Sequence, residues 1–562
     1  MGNVALAARL AARSSTAGCV RQATLQMGLE AHIRFGNYQK AYCGLIFLAL
    51  ITTETTWGST LQFLLLKVSG KWGLAERHSG AYPMASSVGQ ILGSALFGRL
   101  ADMIGRRPVV LISLSISVVG GACVVAIPTA PHATVFGLPC YAALMAALWL
   151  LGFGFGGSIS PMGIMLAEIL PVRGRGFALN CTTSAFQVGS VGVAVAAAYI
   201  MPDSTIELLG FSGWRLLYAC EVVIAASFVL LMAAVLPESP RFLAVNGKRA
   251  ALCRTLDRMA VHGGLAAPPH GNSGGGSDET DDPAASWRAL GVEARAQAIE
   301  KIAESLEAEA KEGEATAAKE AATSGRGGLR MLFSPQLWQL TLLCSLMWSC
   351  WSFSCGFSAF LPILLKSKHL HKGGLYESLV INAVAGIPGK LLGGVLVEVL
   401  GRRRTISSAL FVSGIGFFAF AFARNSWQLV ASSSVINALN SLTVGAMFVY
   451  TAEAFPTAQR ATGSAFVATM RSLVGLLGPV VAGFFAASDA AIPLVCFAVA
   501  SALGAVAAAM LPFETGGRVL QDHSTSSSSC PAATIAGATA DSSIAAVPVP
   551  AVAGNLRSRL LQ

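Results

Sequence analysis

Four ionisable residues stand where a charged side chain is expensive. Glu54, Glu221, Lys390 and Arg471 each interrupt a long apolar run. An ionised group at the centre of a bilayer costs at least about 2.5–3.5 kcal/mol on insertion scales, so it faces a partner or a water-filled cavity. A carboxyl that alternates between wet and dry surroundings can take up and release a proton, and Glu54 is placed to do so. Lys390 competes with that role if it pairs with Glu54. Glu54 shares a helical face with Gly58 and Gln62, at i, i+4 and i+8. Farther along, Ser433, Asn437 and Asn440 recur at i, i+4 and i+7, and Ser345, Ser349 and Ser352 repeat that spacing beside Trp348. Facing stripes of this kind would bind a solute through hydrogen bonds; hydrogen bonding between helices is the competing reading. Glu54, Gln62, Lys390, Asn437 and Asn440 are thus the candidates for solute binding or coupling. Glu221 and Arg471 lie nearer the ends of their runs and fit a structural contact.

A second set of charges is duplicated. Gly98-Arg-Leu-Ala-Asp102-Met-Ile-Gly105-Arg106-Arg107 matches Gly394-Val-Leu-Val-Glu398-Val-Leu-Gly401-Arg402-Arg403. Glu168-Ile-Leu-Pro171 with Arg175 matches Glu453-Ala-Phe-Pro456 with Arg460, and Leu236-Pro237-Glu238-Ser239 matches Leu511-Pro512-Phe513-Glu514-Thr515. Carboxylates and guanidiniums at a wet rim can pair in one state and separate in another at modest cost.

The elements that must position these groups are membrane helices. Of the 562 residues, 54% are hydrophobic and only 12% charged, about half the usual charged share of a soluble domain. Runs of about 20 apolar residues cross about 30 Å of hydrocarbon as helices. Twelve are expected, near 42–66, 80–100, 108–128, 139–165, 177–200, 214–236, 336–364, 375–400, 405–424, 428–451, 465–486 and 491–512. The three duplicated motifs fall at corresponding places in the two sets of six, as parallel internal repeats do. The expected fold is an all-α membrane protein, twelve transmembrane helices in two six-helix pseudo-symmetric bundles. Its parts are an N-terminal tail (1–40), a first bundle (41–236), a central loop with a charged helix (237–335), a second bundle (336–513) and a disordered tail (514–562). Within the central loop, Gly263 to Asp282 reads as a flexible linker and Ala284 to Ala322 as a solvated helix.

The net charge of +10 does not imply a nucleic-acid partner. The basic residues cluster between apolar runs, as topology signals do. Arg106, Arg107, Arg173, Arg175, Arg402, Arg403, Arg404 and Arg460, with the basic N-terminal tail, outnumber Lys67, Lys71, Arg77, Lys366, Lys368, Lys372 and Arg424 on the opposite side. That bias puts both termini and the duplicated motifs in the cytosol. The cysteines are scattered, all eight histidines fall outside the spans, and no phosphate-binding loop of the G-x-x-x-x-G-K-[ST] type appears. No metal, cofactor or catalytic residue is expected.

The motif Gly98–Arg107 and its copy closely resemble the major facilitator superfamily, over about 40 to 513. Pro237-Glu-Ser-Pro-Arg-Phe-Leu243 resembles the end of the first half in sugar porters and in the organic-ion and synaptic vesicle glycoprotein 2-like branches. Tyr450-Thr-Ala-Glu453-Ala-Phe-Pro456-Thr457 and Arg471 lean toward the latter two. Ser349-Cys-Trp-Ser-Phe-Ser-Cys-Gly356 lacks the paired glutamines of sugar porters. The resemblance implies that spans one, four, seven and ten line the pathway. It also implies that Asp102, Arg106, Glu168 and Arg175, with Glu398, Arg402, Glu453 and Arg460, form a cytosolic gate. The expected function is secondary transport of a small solute, an organic ion or similar metabolite, by alternating access with proton coupling. The alternative is a transporter-like receptor or sensor without net transport. The expected surroundings are the lipid bilayer, with the plasma membrane ahead of an organelle, and a single copy as the working unit.

Overall fold

A computed structural model describes residues 35–64, 80–128, 134–135, 138–171, 175–201, 207–208, 211–265, 286–288, 290, 292–323, 332–335, 337–367, 372–455, 457–485 and 491–515. All of them belong to one compact unit, Met1–Gln521.

The first half runs through six spans. Span one is Asn37–Thr53, continued by a wide turn of π-helix at Glu54–Ser59. Span two is Ala81–Ile104, span three Arg106–Ala126 and span four Cys140–Ile169. Span five is built from Arg175–Thr183 and Ala185–Ile200, and span six is Trp214–Val235. The second half repeats this order. Span seven is Trp338–Ser354 and Gly356–Ser367, span eight Lys372–Val399, span nine Arg402–Phe422 and span ten Ser426–Ala454. Span eleven is Thr457–Gly475 and Leu477–Phe485, and span twelve is Ala491–Ala509. Among the described residues, ten helices are long and apolar enough to cross a membrane by length and composition. The interrupted span one and the more polar span two complete the twelve. Two-residue hairpins, Thr134–Val135 with Leu138–Pro139 and Glu207–Leu208 with Phe211–Ser212, close two loops of the first half.

The breaks in the spans obey the internal repeat. The π turn in span one corresponds to the break of span seven at Cys355, and the break of span five at Ser184 to that of span eleven at Leu476. These irregular turns meet in pairs. A Cβ on Gly189 of span five would stand 3.0 Å from the Ile51 carbonyl oxygen and 3.2 Å from the Glu54 Cβ. A Cβ on Gly356 would stand 2.6 Å from the Gly478 carbonyl carbon. Glycine is what lets the backbones come this close.

Apolar contact between the halves is concentrated at one end. There Leu61, Phe63 and Leu64, on the helical turn that follows the π turn of span one, join Phe357, Phe360 and Leu361 of span seven and Tyr376 of span eight in one cluster, with Phe63 stacked on Tyr376. At the opposite end, which carries the duplicated motifs, each half has its own cluster. One is built around Tyr42, Met165 and Leu166, the other around Trp348, Met447 and Tyr450. This state is closed at the end away from the motifs.

The central segment is folded on both sides of the linker expected at Gly263 to Asp282, and the expected helix at Ala284 to Ala322 forms at Val292–Thr323. Helices Pro240–Val245, Arg249–Val261 and Val292–Thr323 bury Leu252, Leu256, Met259, Trp287, Ile299 and Ala303 in a core of their own. Arg249 bridges Glu300 at 3.0 Å and Glu304 at 2.8 Å, and Arg295 bridges Asp257 at 2.9 Å. The Glu304 carboxylate raises the Arg249 guanidinium above its ordinary pKa. This small unit docks on the start of span one. Gln39 donates to the Gly264 carbonyl at 3.0 Å, and Tyr38 N–H to the His262 carbonyl at 3.3 Å. The Gly/Ser reading therefore fails for Gly263 to Leu265; 266–285 lie outside the described residues.

Candidate functional site

The motif end is held by one device used twice. Gly105 and Gly401 adopt φ of +112° and +87° immediately before spans three and nine. That conformation turns the chain sharply and exposes the first N–H groups of the next helix. A carboxylate from beyond the sixth span of each half receives them. Glu238 accepts from the N–H groups of Arg106 and Arg107, each at 3.2 Å. Glu514 accepts from those of Arg402 and Arg403, at 2.7 and 3.0 Å. A Cβ on Gly105 would stand 2.6 Å from Glu238 Oε2, so the glycine makes room for the cap as well as the turn. The Leu-Pro-Glu repeat marked these segments, but their partners lie far away in sequence.

The side chains then tie the spans together within each half. Arg106 pairs with Glu168, and Ser239 donates to the same Glu168 Oε2 at 2.5 Å. In the second half Arg402 pairs with Glu453 at 3.2 Å. Glu398 does not join this pair: it is exposed, and Arg402 reaches Glu453 and the Val397 carbonyl instead. The side chains of Asp102, Arg175 and Arg460 lie outside the described ones. Glu238, Ser239 and Glu514 are the members that sequence reasoning missed.

The mid-membrane groups fall into three places. In the first half, the Glu54 carboxylate folds over Gly58, 2.5 Å from where its Cβ would stand, and the Glu54 Cβ backs onto Gly189. Gln62, beyond the π turn, is half-buried. Glu221 makes a structural contact, as expected. It is 5% exposed, and its oxygens lie 2.6 and 2.5 Å from the Thr60 hydroxyl.

At the boundary of the halves sits Lys390, 5% exposed. Its surroundings are Asn180 of span five and Gly445 of span ten. Among the described residues it has no ion pair and no hydrogen bond to its ammonium. Asn437 donates to the Asn382 carbonyl at 2.7 Å, and its amide stands over Gly386 beside Gln187. Asn440 is buried at 8% exposure.

The third place was not expected from sequence. The Arg471 guanidinium lies over the Trp348 ring, 5.7 Å from its centroid. Trp348 donates through Nε1 to the Thr451 hydroxyl at 2.9 Å and meets Trp351 and Phe448 edge to face. Arg471 is thus set on an aromatic face of span seven, a contact between helices. The serines of span seven turn elsewhere. Ser345 and Ser349 line a groove with Met470, Val474, Ala500 and Leu503 of spans eleven and twelve, and Ser352 abuts Gly475. The two polar stripes therefore do not face each other: the Trp348 side of span seven meets span ten, and its serine side meets the outer helices.

The comparisons with known proteins agree with this architecture. The chain matches the model of the Major Facilitator Superfamily over residues 46–392 and 378–527. It is 26% identical to organic cation/carnitine transporter 7 of Arabidopsis thaliana, over 93% of this chain and 100% of that protein. It is 23% identical to the synaptic vesicle 2-related protein of Xenopus laevis, over 88% of this chain and 81% of that one. The fold is similar to that of a D-xylose-proton symporter, with a TM-score of 0.61 and 16% identity over 86% of this chain and 99% of the other. These findings lend no support to a receptor without transport. With its duplicated motifs, its two sets of six spans and a family match over most of its length, the chain belongs to the Major Facilitator Superfamily, as a multi-pass membrane protein that carries small solutes by alternating access.

Proposed function

We propose that the solute is a small organic anion with a flat unsaturated ring, bound on the second half and driven by protons taken up at Glu54. The observation that carries this is Lys390, a 5% exposed cation with no counter-ion among the described residues. A buried charge without a partner is costly in the empty carrier, and a carboxylate of the solute offsets that cost. Arg471 on Trp348 is a second cation, set against aromatic rings, and the buried Trp351 N–H has no acceptor among the described residues. An aromatic face carrying a cation suits a planar ring bearing a negative charge. Carnitine, in the name of the Arabidopsis relative, also carries a carboxylate, though with a quaternary ammonium.

Glu54, with Gln62 beyond the π turn, serves as the coupling carboxyl. Asn437 and Asn440 supply hydrogen bonds to the solute. The motif end is the cytosolic gate. In the state described, Arg106–Glu168 and Arg402–Glu453 hold within their own halves. Asp102, Arg175, Glu398 and Arg460 rearrange with them as the gate closes. Both termini and the central helices lie in the cytosol, the protein resides in the plasma membrane, and one copy suffices.

Nicotinate and nicotinamide share a ring and differ in charge, so they test the reading directly. Proteoliposomes should take up labelled nicotinate and not nicotinamide, and Lys390→Met should cut nicotinate uptake by at least about tenfold, the equivalent of one buried charge–charge contact. Equal uptake of the two compounds would sink the anion reading.

A further inference from the structure

Span five carries two carboxamides seven residues apart, Asn180 and Gln187, one on each side of its break at Ser184. Both reach out of the first half into the second. Asn180 Nδ2 donates to the Lys390 carbonyl oxygen at 3.1 Å. Asn180 Oδ1 lies 2.7 Å, and the Lys390 ammonium 3.7 Å, from the point where a Cβ on Gly445 would stand. A Cβ on Gly394, one turn along span eight, would stand 3.1 Å from Asn180 Nδ2. Two glycines thus make a seat in which the amide of one half and the ammonium of the other share a corner. Gln187 enters a similar seat at Gly386, next to Asn437.

We infer that Asn180 is a positioning residue for transport, tying the occupancy of Lys390 to the contact between the two halves. This rests on the reading of Lys390 as the solute's anion ligand. With Lys390 empty, the carboxamide occupies the corner and its N–H holds span eight to span five. An anion on the ammonium places a second oxygen against Asn180 Oδ1. The two electron-rich atoms repel, the carboxamide withdraws, and its hydrogen bond to the Lys390 carbonyl across the halves is lost. Neutrality is what makes the exchange possible: an amide oxygen yields to a carboxylate, whereas a carboxylate at this position would hold the ammonium permanently.

Asn180→Asp and Asn180→Ala, made in wild-type and Lys390→Met backgrounds of the full chain, test this without and with solute. The melting temperature in detergent should rise for Asn180→Asp when Lys390 is present, because an ion pair forms across the halves. It should fall in Lys390→Met, where the new carboxylate is buried alone. The same sign in both backgrounds overturns the proposed contact. In proteoliposomes, Asn180→Asp should raise the KM for nicotinate at least about tenfold as a built-in competitor, while Asn180→Ala leaves KM within about threefold and changes the maximal rate. Equal KM effects of the two substitutions would make Asn180 a packing residue and end the proposal, with the anion reading intact. Uptake of nicotinamide but not nicotinate by the wild type would overturn the anion reading and this coupling together.

Discussion

Removing one capping carboxylate should measurably loosen one end of one half. In Glu238→Ala, the N–H groups of Arg106 and Arg107 lose their acceptor, and so does that of Ser239, which Glu238 receives at 3.0 Å. Loss of a side-chain cap costs about 0.5–2 kcal/mol. A negative charge at a partly buried helix N-terminus adds up to about 2 kcal/mol. Together these give about 2–3 kcal/mol, or roughly 30- to 150-fold in the balance between capped and frayed ends. Glu238→Gln keeps an acceptor oxygen and loses the charge, so it should fall about midway. The assay is the melting temperature of purified protein in detergent, followed by hydrogen exchange at the start of span three. The order wild type, Gln, Ala is expected, with the increase in exchange confined to the ends of spans three and six. An alanine variant that melts with the wild type, or a Gln variant below Ala, would refute the capping argument. Glu514→Ala makes the same demand of span nine, where the bonds are shorter at 2.7 and 3.0 Å.

Gly105→Ala and Gly401→Ala should each destabilise by at least about 1–3 kcal/mol, the cost of forcing a side chain into a positive-φ conformation; expression and melting temperature check this, and a silent substitution would show that the turn relaxes. Glu54→Gln should abolish the stimulation of nicotinate uptake by an inward proton gradient while leaving nicotinate exchange in place; equal wild-type uptake with and without the gradient rules out coupling. Trp348→Leu removes the ring under Arg471 and the bond to Thr451, and should raise the nicotinate KM more than Trp348→Phe does; equal effects would mean that the ring contributes only volume.

Much of the architecture was legible because it is written in long, repeated signals. Twelve apolar runs, two Gly-Arg-Arg corners and two Leu-Pro segments place the spans and their symmetry without reference to distant contacts. Glu54 and Lys390 stood out because charge in an apolar run is rare. The rest depended on pairings that sequence spacing does not show. Asn180 and Gln187 look ordinary in span five; only the glycines opposite them, on other helices, disclose their seats. Arg471 read as a structural contact from its distance to a helix end, but spacing gave no hint that its partner is the Trp348 ring. The serine stripe of span seven misled for a related reason: periodicity shows that residues share a face, but not which neighbour that face meets.

The carboxylate caps also bear on how the protein is made. Span three cannot be sealed when it first leaves the ribosome, because Glu238 follows it by more than one hundred residues. Span nine waits in the same way for Glu514. Each half is therefore finished by its own last residues, and the first can be complete before the second is synthesised. The join between them, from span six to span seven, need not guide either event. Two separately translated pieces, cut within that join and inserted side by side, should assemble into a working carrier.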